Sequence, residues 1–358
     1  MSRPIRASIH LPALTHNLSI VRNYAPNSRI MAVIKADAYG HGLLPAAQAL
    51  RAADGFALLE LDAAIALREA GFKQPILLLE GFFSTRELQL FHQFQLNAVI
   101  HHEEQINMLL ASKFHNLGLF MKINTGMNRL GLRPEQYLLG IKKLQENNYA
   151  NNVTLMTHFA CADDSGQKES VAAQINCFKT ITQQYDYPVS LANSAAIIRY
   201  PETHGDWVRP GILLYGASPF ADQTANDLKL QSAMTLSSKI IAIHDLRAGD
   251  RVGYGGSFHA SRAMRIGIVA CGYADGYPRH APTGTPVLVN DQPSRLLGRV
   301  SMDMLTVDLT HIPDVGINSP VILWGSGVSV DEVANRSNTI SYELLSALAP
   351  RVERTAAI

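Results

Sequence analysis

The sequence predicts an α/β fold: a (β/α)8 TIM-type barrel over residues 1–226, followed by a mostly β C-terminal domain over residues 227–358. Three observations carry this expectation. Eight short apolar runs are each followed by a stretch of helical spacing, at intervals of roughly 25–30 residues, the cadence of strand-then-helix units around a parallel barrel. No G-x-G-x-x-G follows the first run, which argues against a doubly wound dinucleotide fold. Beyond roughly residue 225 the pattern turns to short β-rich runs cut by Gly, Pro and Asp.

The elements follow in order. A first short strand ends at Ser8-Ile9, and Leu11, Leu14, Leu18 and Val21 then fall on one helical face. The second run, Met31-Ala32-Val33-Ile34, is continuously apolar, as a strand buried on both faces should be. Pro45 to Leu50 reads as its helix. Gly55–Leu59, Ile76–Leu79, Ala98–Ile100, Leu117–Ile123, Val153–His158 and Val189–Leu191 are the remaining strands. Their helices are Ala63–Ala70, Thr85–Phe94, Glu104–Leu110, Pro134–Leu144, Ser170–Gln183 and Ser194–Ile198. Ala221 to Asn226 is polar and turn-like and sets the domain boundary. The β-rich half has runs at Thr235–Ile243, Arg265–Cys271, Pro286–Val289, Met304–Val307 and Pro320–Trp324, with short helices at Val330–Arg336 and Tyr342–Leu348.

Composition narrows the function. The chain has 358 residues, 47% of them apolar and 17% charged, with a net charge of +1. Scattered basic residues without a patch give no electrostatic case for nucleic acid or an anionic membrane. No apolar run approaches the ~18 residues of a membrane span. The three cysteines, Cys161, Cys177 and Cys271, fit neither a zinc site nor a disulfide framework, so no metal is expected and a reducing, cytoplasmic setting is. The N-terminal MSRPIRASIHL lacks the apolar core of a signal peptide.

The chemistry centres on MAVIKADAYGHG, Met31 to Gly42. Lys35 stands where a buried strand gives way to a loop. An ammonium loses solvation there, its pKa falls, and it becomes a usable nucleophile or base. In a barrel, catalytic groups belong at the C-terminal ends of the strands. Lys35, Arg129, His158 and Ser194 all fall near or just after predicted strand ends.

The stretch resembles the pyridoxal-phosphate (PLP) lysine motif of bacterial alanine racemases. Further motifs follow in family order: KINTGMNRLGL (from Lys122), THFACAD (from Thr157), ANSAA (from Ala192), WVRPGILLYG (from Trp207), VGYGG (from Val252), GYADGYPR (from Gly272) and GRVSMD (from Gly298). They run almost from end to end of the chain. The resemblance implies PLP as cofactor, interconversion of L- and D-alanine, and a homodimer with shared active sites.

A PLP enzyme must supply a lysine for covalent attachment, a phosphate cradle, a partner for the ring nitrogen, proton carriers and a hold on the substrate carboxylate. The resemblance assigns Lys35 to attachment and Tyr39, Asn193, Ser194, Gly211, Ile212 and Tyr342 to the phosphate end. Tyr342 rests on a bare SYEL. Arg209 takes the ring nitrogen, and His158, a cofactor-site residue with Arg209 behind it, is expected to help the Tyr254 phenol act as a base. An Arg donates and cannot accept, so it leaves the nitrogen unprotonated and the cofactor a weaker electron sink, which suits racemisation better than transamination. Racemisation takes a proton from one face of Cα and returns one to the other, so two bases are expected. Lys35 serves one face, and Tyr254, reaching over from the partner subunit, resembles the other. Arg129 and the main-chain N–H of Met302 are the carboxylate donors. Lys122 is expected to be carbamylated and paired with Arg129; an unmodified amine held by a carboxylate or a chloride is the alternative.

Two departures, Cys161 in THFACAD and Ser301 in GRVSMD, touch no assigned role. A PLP-dependent decarboxylase on the same barrel would pair the ring nitrogen with an acid, where this chain has Arg209. A bare PLP-binding barrel would lack the residues that carry Tyr254 and Met302. A broad-specificity racemase and a catabolic alanine racemase remain open alternatives to a peptidoglycan-supplying one.

Overall fold

The computed structural model describes residues 3–112 and 114–357. The chain opens with β1 (Arg6–His10) and the helix Leu11–Tyr24, then lays down β2 (Arg29–Val33), β3 (Gly55–Leu58), β4 (Ile76–Leu78), β5 (Asn97–Ile100), β6 (Leu119–Lys122), β7 (Val153–Met156), β8 (Val189–Ser190) and β9 (Trp207–Val208). Strands β2 to β9 make one eight-stranded parallel sheet, in the order β8-β7-β6-β5-β4-β3-β2-β9. Between β8 and β9 the ring is completed by single contacts. Arg209 N–H donates to Ala192 O (2.9 Å), Asn193 and Arg209 form a parallel bridge, and Ser190 Oγ donates to Trp207 O (3.1 Å).

Strands β3, β4, β6 and β7 are buried at every residue, as strands covered by helices outside and packed side chains inside must be. The helices lie where the apolar spacing put them, as Leu61–Glu69, Thr85–Gln93, Glu103–Ser112, Pro134–Glu146 and Lys168–Thr182. Leu14, Leu18 and Val21 are buried on the inner face of the first helix. Ser84 caps Thr85–Gln93 by accepting from Glu87 N–H, satisfying one of the free donors of its first turn.

One element departs from the sequence reading. The strand ending at Ser8-Ile9 was expected to begin the barrel. Instead β1 pairs with β10 (Met234–Leu246) and β18 (Glu353–Ala357) in the second sheet. The reason is visible in its side chains: Arg-Ala-Ser-Ile-His alternates, burying Ala7 and Ile9 and exposing the rest more, the signature of a strand with one covered face. The eighth barrel strand is the two-residue Trp207–Val208, too short to register as an apolar run.

The second sheet contains β10, β13 (Met264–Val269), β14 (Pro286–Val289), β15 (Gln292–Leu297), β16 (Leu305–Asp308) and β17 (Pro320–Trp324), and the hairpin β11 (Arg251–Val252) and β12 (Phe258–His259) stands apart. β10 spans 13 residues and pairs with β1 and β17 in its first half and with β13 in its second, bending at a bulge between Ile240 and Ala242. The sheet thereby closes on itself, with β1 and β18 continuing from one side. Trp324 and Tyr277 stack in its core.

A buried carboxylate ties distant parts of the chain. Asp275 is fully buried and accepts from Arg3 (3.1 Å), Arg351 (2.7 Å) and Gly272 N–H (2.9 Å). The same two arginines hold the Met302 loop, Arg3 on Asp303 O (2.6 Å) and Arg351 on the Asp303 carboxylate (2.7 Å). Asp275→Asn keeps the volume and removes the charge both guanidinium groups face. It should lower stability by about 1–2 kcal/mol, because both arginines keep contact with water and lose only the charge behind their hydrogen bonds. A urea midpoint equal to that of the parent protein would deny the network any stabilising role.

Candidate active site

Beyond the C-terminal ends of the barrel strands lies a cavity of about 850 Å³. Most strand ends deliver a residue to its wall: Lys35 after β2, Leu59 after β3, Glu80 after β4, Lys122 on β6 with Arg129 in the loop beyond, His158 after β7, Asn193 and Ser194 after β8, and Arg209 and Gly211 after β9. Tyr39 and Tyr342 also line it, the second from the helix Ser341–Ser346 of the β-rich half.

Lys35 is aimed by an unusual backbone. Ala36, Asp37, Ala38 and Tyr39 form a left-handed turn, with φ of 52°, 52°, 53° and 53°. An L-residue in that conformation costs about 1–2 kcal/mol, so the turn persists only where its surroundings impose it. Gly42 N–H donates to Asp37 O (3.0 Å) and Leu43 N–H to Asp37 Oδ1 (2.8 Å). Beneath it, His41 Nδ1–H donates to Ala38 O (3.0 Å) and Tyr39 O (2.9 Å). Burial pushes the His41 pKa down to about 4 despite those bonds, so the ring is neutral at pH 7. Tyr39 stacks on Tyr215 with centroids 4.5 Å apart, and Tyr215 hydrogen-bonds Val33 O (2.9 Å).

The cavity is crowded with cations. Burial, then Arg129, lowers the pKa of Lys35 against the opposing pull of Glu80 and Glu60. Lys122 falls to about 8, through burial first and then Arg209, Arg129 and Lys35. Arg209 falls to about 10 by burial and stays charged at neutral pH. Its guanidinium is fixed from behind, donating to Ser190 Oγ (2.6 Å), Thr157 O (2.7 Å), Leu191 O (3.1 Å) and His158 Nδ1 (3.4 Å). Since Arg209 only donates, His158 Nδ1 is the acceptor. Burial and then Arg209 hold the His158 pKa well below its ordinary value, consistent with a neutral ring.

At the other end, Ser194 begins the helix Ser194–Arg199, which Asn193 caps by accepting from Ala196 N–H. Ser194 Oγ accepts from Gly211 N–H (2.9 Å). A Cβ on Gly211 would stand 2.6 Å from the Tyr39 hydroxyl, so only glycine allows that hydroxyl to lie against the chain. Ile212 follows at the start of a 3-10 turn, its side chain in the core and away from the cavity wall. Burial raises the pKa of Tyr39 and of Tyr342, so both phenols stay protonated and able to donate. Their rings lie 6.0 Å apart.

Tyr254 and Met302 are not on this wall. Tyr254 is 71% exposed in the loop of the β11–β12 hairpin, and Met302 is 53% exposed. Several wall and support residues escaped the sequence reading: Glu80, Ile340, Glu343, and the braces Ser190, Thr157 and His41. Glu80 follows the fourth apolar run directly and was within reach of the strand-end rule. Among the described residues no group of three His, Cys, Asp or Glu is arranged to hold a metal ion, and no helix is long and apolar enough to cross a membrane.

The wall fits PLP. One end offers hydroxyl donors and closely approached main chain for a phosphate, the other an amine of lowered pKa and a braced, donor-only guanidinium for a ring nitrogen. The family models "Alanine racemase, N-terminal domain" and "Alanine racemase, C-terminal domain" match residues 9–219 and 233–356. The alanine racemase of Nitrosospira multiformis is 59% identical over 355 residues, covering 99% of each chain. That of Nitrosomonas europaea is 58% identical over 361 residues, covering 100% of each. The biosynthetic alanine racemase of Pseudomonas aeruginosa superposes with a TM-score of 0.96 at 43% identity over 100% of both chains. The alanine racemase of Acinetobacter baumannii gives 0.93 at 40% identity, over 99% of this chain and 100% of that one. With a lysine-bearing barrel mouth, a β-rich partner domain and matches along nearly the whole length, the chain belongs to the alanine racemase family.

Proposed function

We propose that Lys35 and Tyr254 are the two bases with which this PLP-dependent isomerase interconverts L- and D-alanine. The observation that carries the reading is that Lys35 and Arg209 line one cavity: an amine whose pKa burial lowers, and a braced cation that only donates. PLP, when bound, draws electrons from Cα of an attached amino acid and acidifies its C–H. Lys35 accepts or returns the Cα proton on one face. Tyr254 of the partner subunit does so on the other; its exposure on the hairpin tip favours a role outside its own barrel. Arg209 would hold the ring nitrogen as a donor without protonating it, and His158, neutral, accepts from Arg209 and helps fix its fork.

The hydroxyls of Tyr39, Ser194 and Tyr342 and the main chain of Gly211 and Ile212 would hold the phosphate, with Asn193 fixing the turn that presents Ser194. Arg129 and the N–H of Met302 of the partner subunit bind the substrate carboxylate. The reading thus requires a homodimer and divides the chain into a PLP-binding barrel, residues 1–226, and a β-rich unit, residues 227–358, that completes the partner's site. The free thiols of Cys161, Cys177 and Cys271 favour a cytoplasmic setting. The likeness to a biosynthetic enzyme favours supply of D-alanine to peptidoglycan over catabolism.

Three outcomes test these roles. Lys35→Ala should leave no PLP fixed to the chain after borohydride reduction, read by peptide mass; a variant that still carries reduced PLP and racemises alanine would remove Lys35 from its role. Tyr254→Phe should keep PLP and lose ~10²–10⁴-fold in turnover, the usual contribution of a general acid–base group. Mixing it with Lys35→Ala protomers should recover activity, because one site of each mixed dimer holds both bases; verified mixed dimers without recovery would contradict a shared site.

Lys122 should carry a carbamate. Its pKa near 8 makes a neutral amine available as pH rises through that value, and the change from cation to anion relieves its repulsion with Arg209 and Arg129. Protein equilibrated with ¹³C-bicarbonate at pH 8 should give a carbamate resonance that Lys122→Gln abolishes and that fades as pH is lowered. No resonance at any pH would leave the amine unmodified.

A further inference from the structure

The left-handed turn that carries Tyr39 ends at Gly40, and Gly40 is gripped from the β-rich half of the same chain. Arg354, half-buried on β18, donates from Nε to Gly40 O (2.8 Å) and from Nη2 to Leu348 O (3.3 Å). Leu348 follows the helix Ser341–Ser346, which bears Tyr342 and packs against the turn. On this side Gly40 has no room for a side chain: a Cβ would stand 2.2 Å from Leu345 O. One guanidinium therefore joins the end of the Tyr39 turn to the end of the Tyr342 helix. β18 is itself anchored by parallel pairing with β1, Arg354 opposite Ala7.

We infer that Arg354 is a positioning residue for the phosphate end of the cofactor site: it sets the spacing of the Tyr39 and Tyr342 hydroxyls by bracketing the two elements that carry them. This rests on the reading of those tyrosines as phosphate donors. The geometry suits the task. A planar fork with several fixed donors can hold two carbonyls at a set separation, which a single flexible ammonium does less well. The need for such a bracket follows from the turn. Four non-glycine residues in the left-handed region do not hold that shape unaided, and His41 supports the turn at Ala38 and Tyr39 but not at Gly40. The β-rich half thus acts on the site of its own subunit as well as on that of the partner.

The test uses the full chain with Arg354→Met and Arg354→Lys, each stripped of cofactor and then titrated with PLP and, separately, with pyridoxal, which lacks the phosphate. Arg354→Met should weaken PLP about tenfold, the scale of one lost charge-assisted hydrogen bond. Pyridoxal binding should change less than about twofold, because the ring end is untouched. In the cofactor-free protein, hydrogen exchange of peptides covering 36–43 should quicken while β3 to β7 keep their protection. Arg354→Lys should fall between parent and Met variant on both measures, and it carries the test if the Met variant does not fold.

Equal loss of PLP and pyridoxal affinity would overturn the proposal, as would unchanged PLP affinity. Exchange that quickens through β1, β10 and β18 but not in 36–43 would reduce Arg354 to a support of its own sheet and overturn it too. The exchange measurement needs no cofactor. If Lys35→Ala still fixes PLP while 36–43 loosens in Arg354→Met, the cofactor assignment has failed and the bracket has not.

Discussion

Like charges brought together out of water are the constraint on this molecule. Lys35, Lys122, Arg129 and Arg209 share one cavity, and Glu80 is the acid that recurs among the groups acting on them. Such an arrangement is unfavourable when empty, because Lys122 and Arg209 are buried and Glu80 offsets only part of the charge around them. An anionic group that enters this part of the cavity therefore meets a preformed positive field. Burial first, and then the same repulsion, lowers the pKa of the two lysines. Affinity for anions and a reactive amine thus share the crowding of cations as a cause.

The barrel makes this crowding possible. Parallel strands buried on both faces bring their ends to one rim, and the rim groups cannot move apart without breaking the sheet. Arg209 shows how rigidly they are held. Its donors meet a hydroxyl, two carbonyls and an imidazole nitrogen, all from β7 and β8 or the residues just beyond them. The cation cannot swing to an acid elsewhere and stays pointed at the cavity.

Much of this was legible in the sequence. Continuous apolar runs marked β2 to β8 with Lys35 at a strand end, and the ordered motifs marked Lys122, Arg129, His158, Asn193, Ser194, Arg209 and Gly211 on the wall, but not Glu80, Ile340 or Glu343. Three things were not legible. β1 read as barrel because it preceded a helix; its alternation, a weak signal over five residues, pointed to the other sheet. β9 is held more by Arg209 and its neighbours than by its own length, so no apolar run announces it. The left-handed turn has almost no local cause. Of its four residues only Asp37 is of a type that tolerates that region; the rest are put there by His41, Tyr215 and the neighbouring helix, contacts that exist only in the folded chain.

The position of β1 has a consequence for the order of synthesis. Made before the barrel strands, it has no partner among them. It pairs only with β10 and β18, both beyond residue 233. As the chain leaves the ribosome, the barrel strands can associate with near neighbours as each appears, while β1 waits, an unpaired edge, until the β-rich half has emerged. Arg3 waits with it for Asp275 and Asp303. Closing the second sheet is thus also the step that captures β1, and a nascent barrel carries an unpaired strand ahead of it until then.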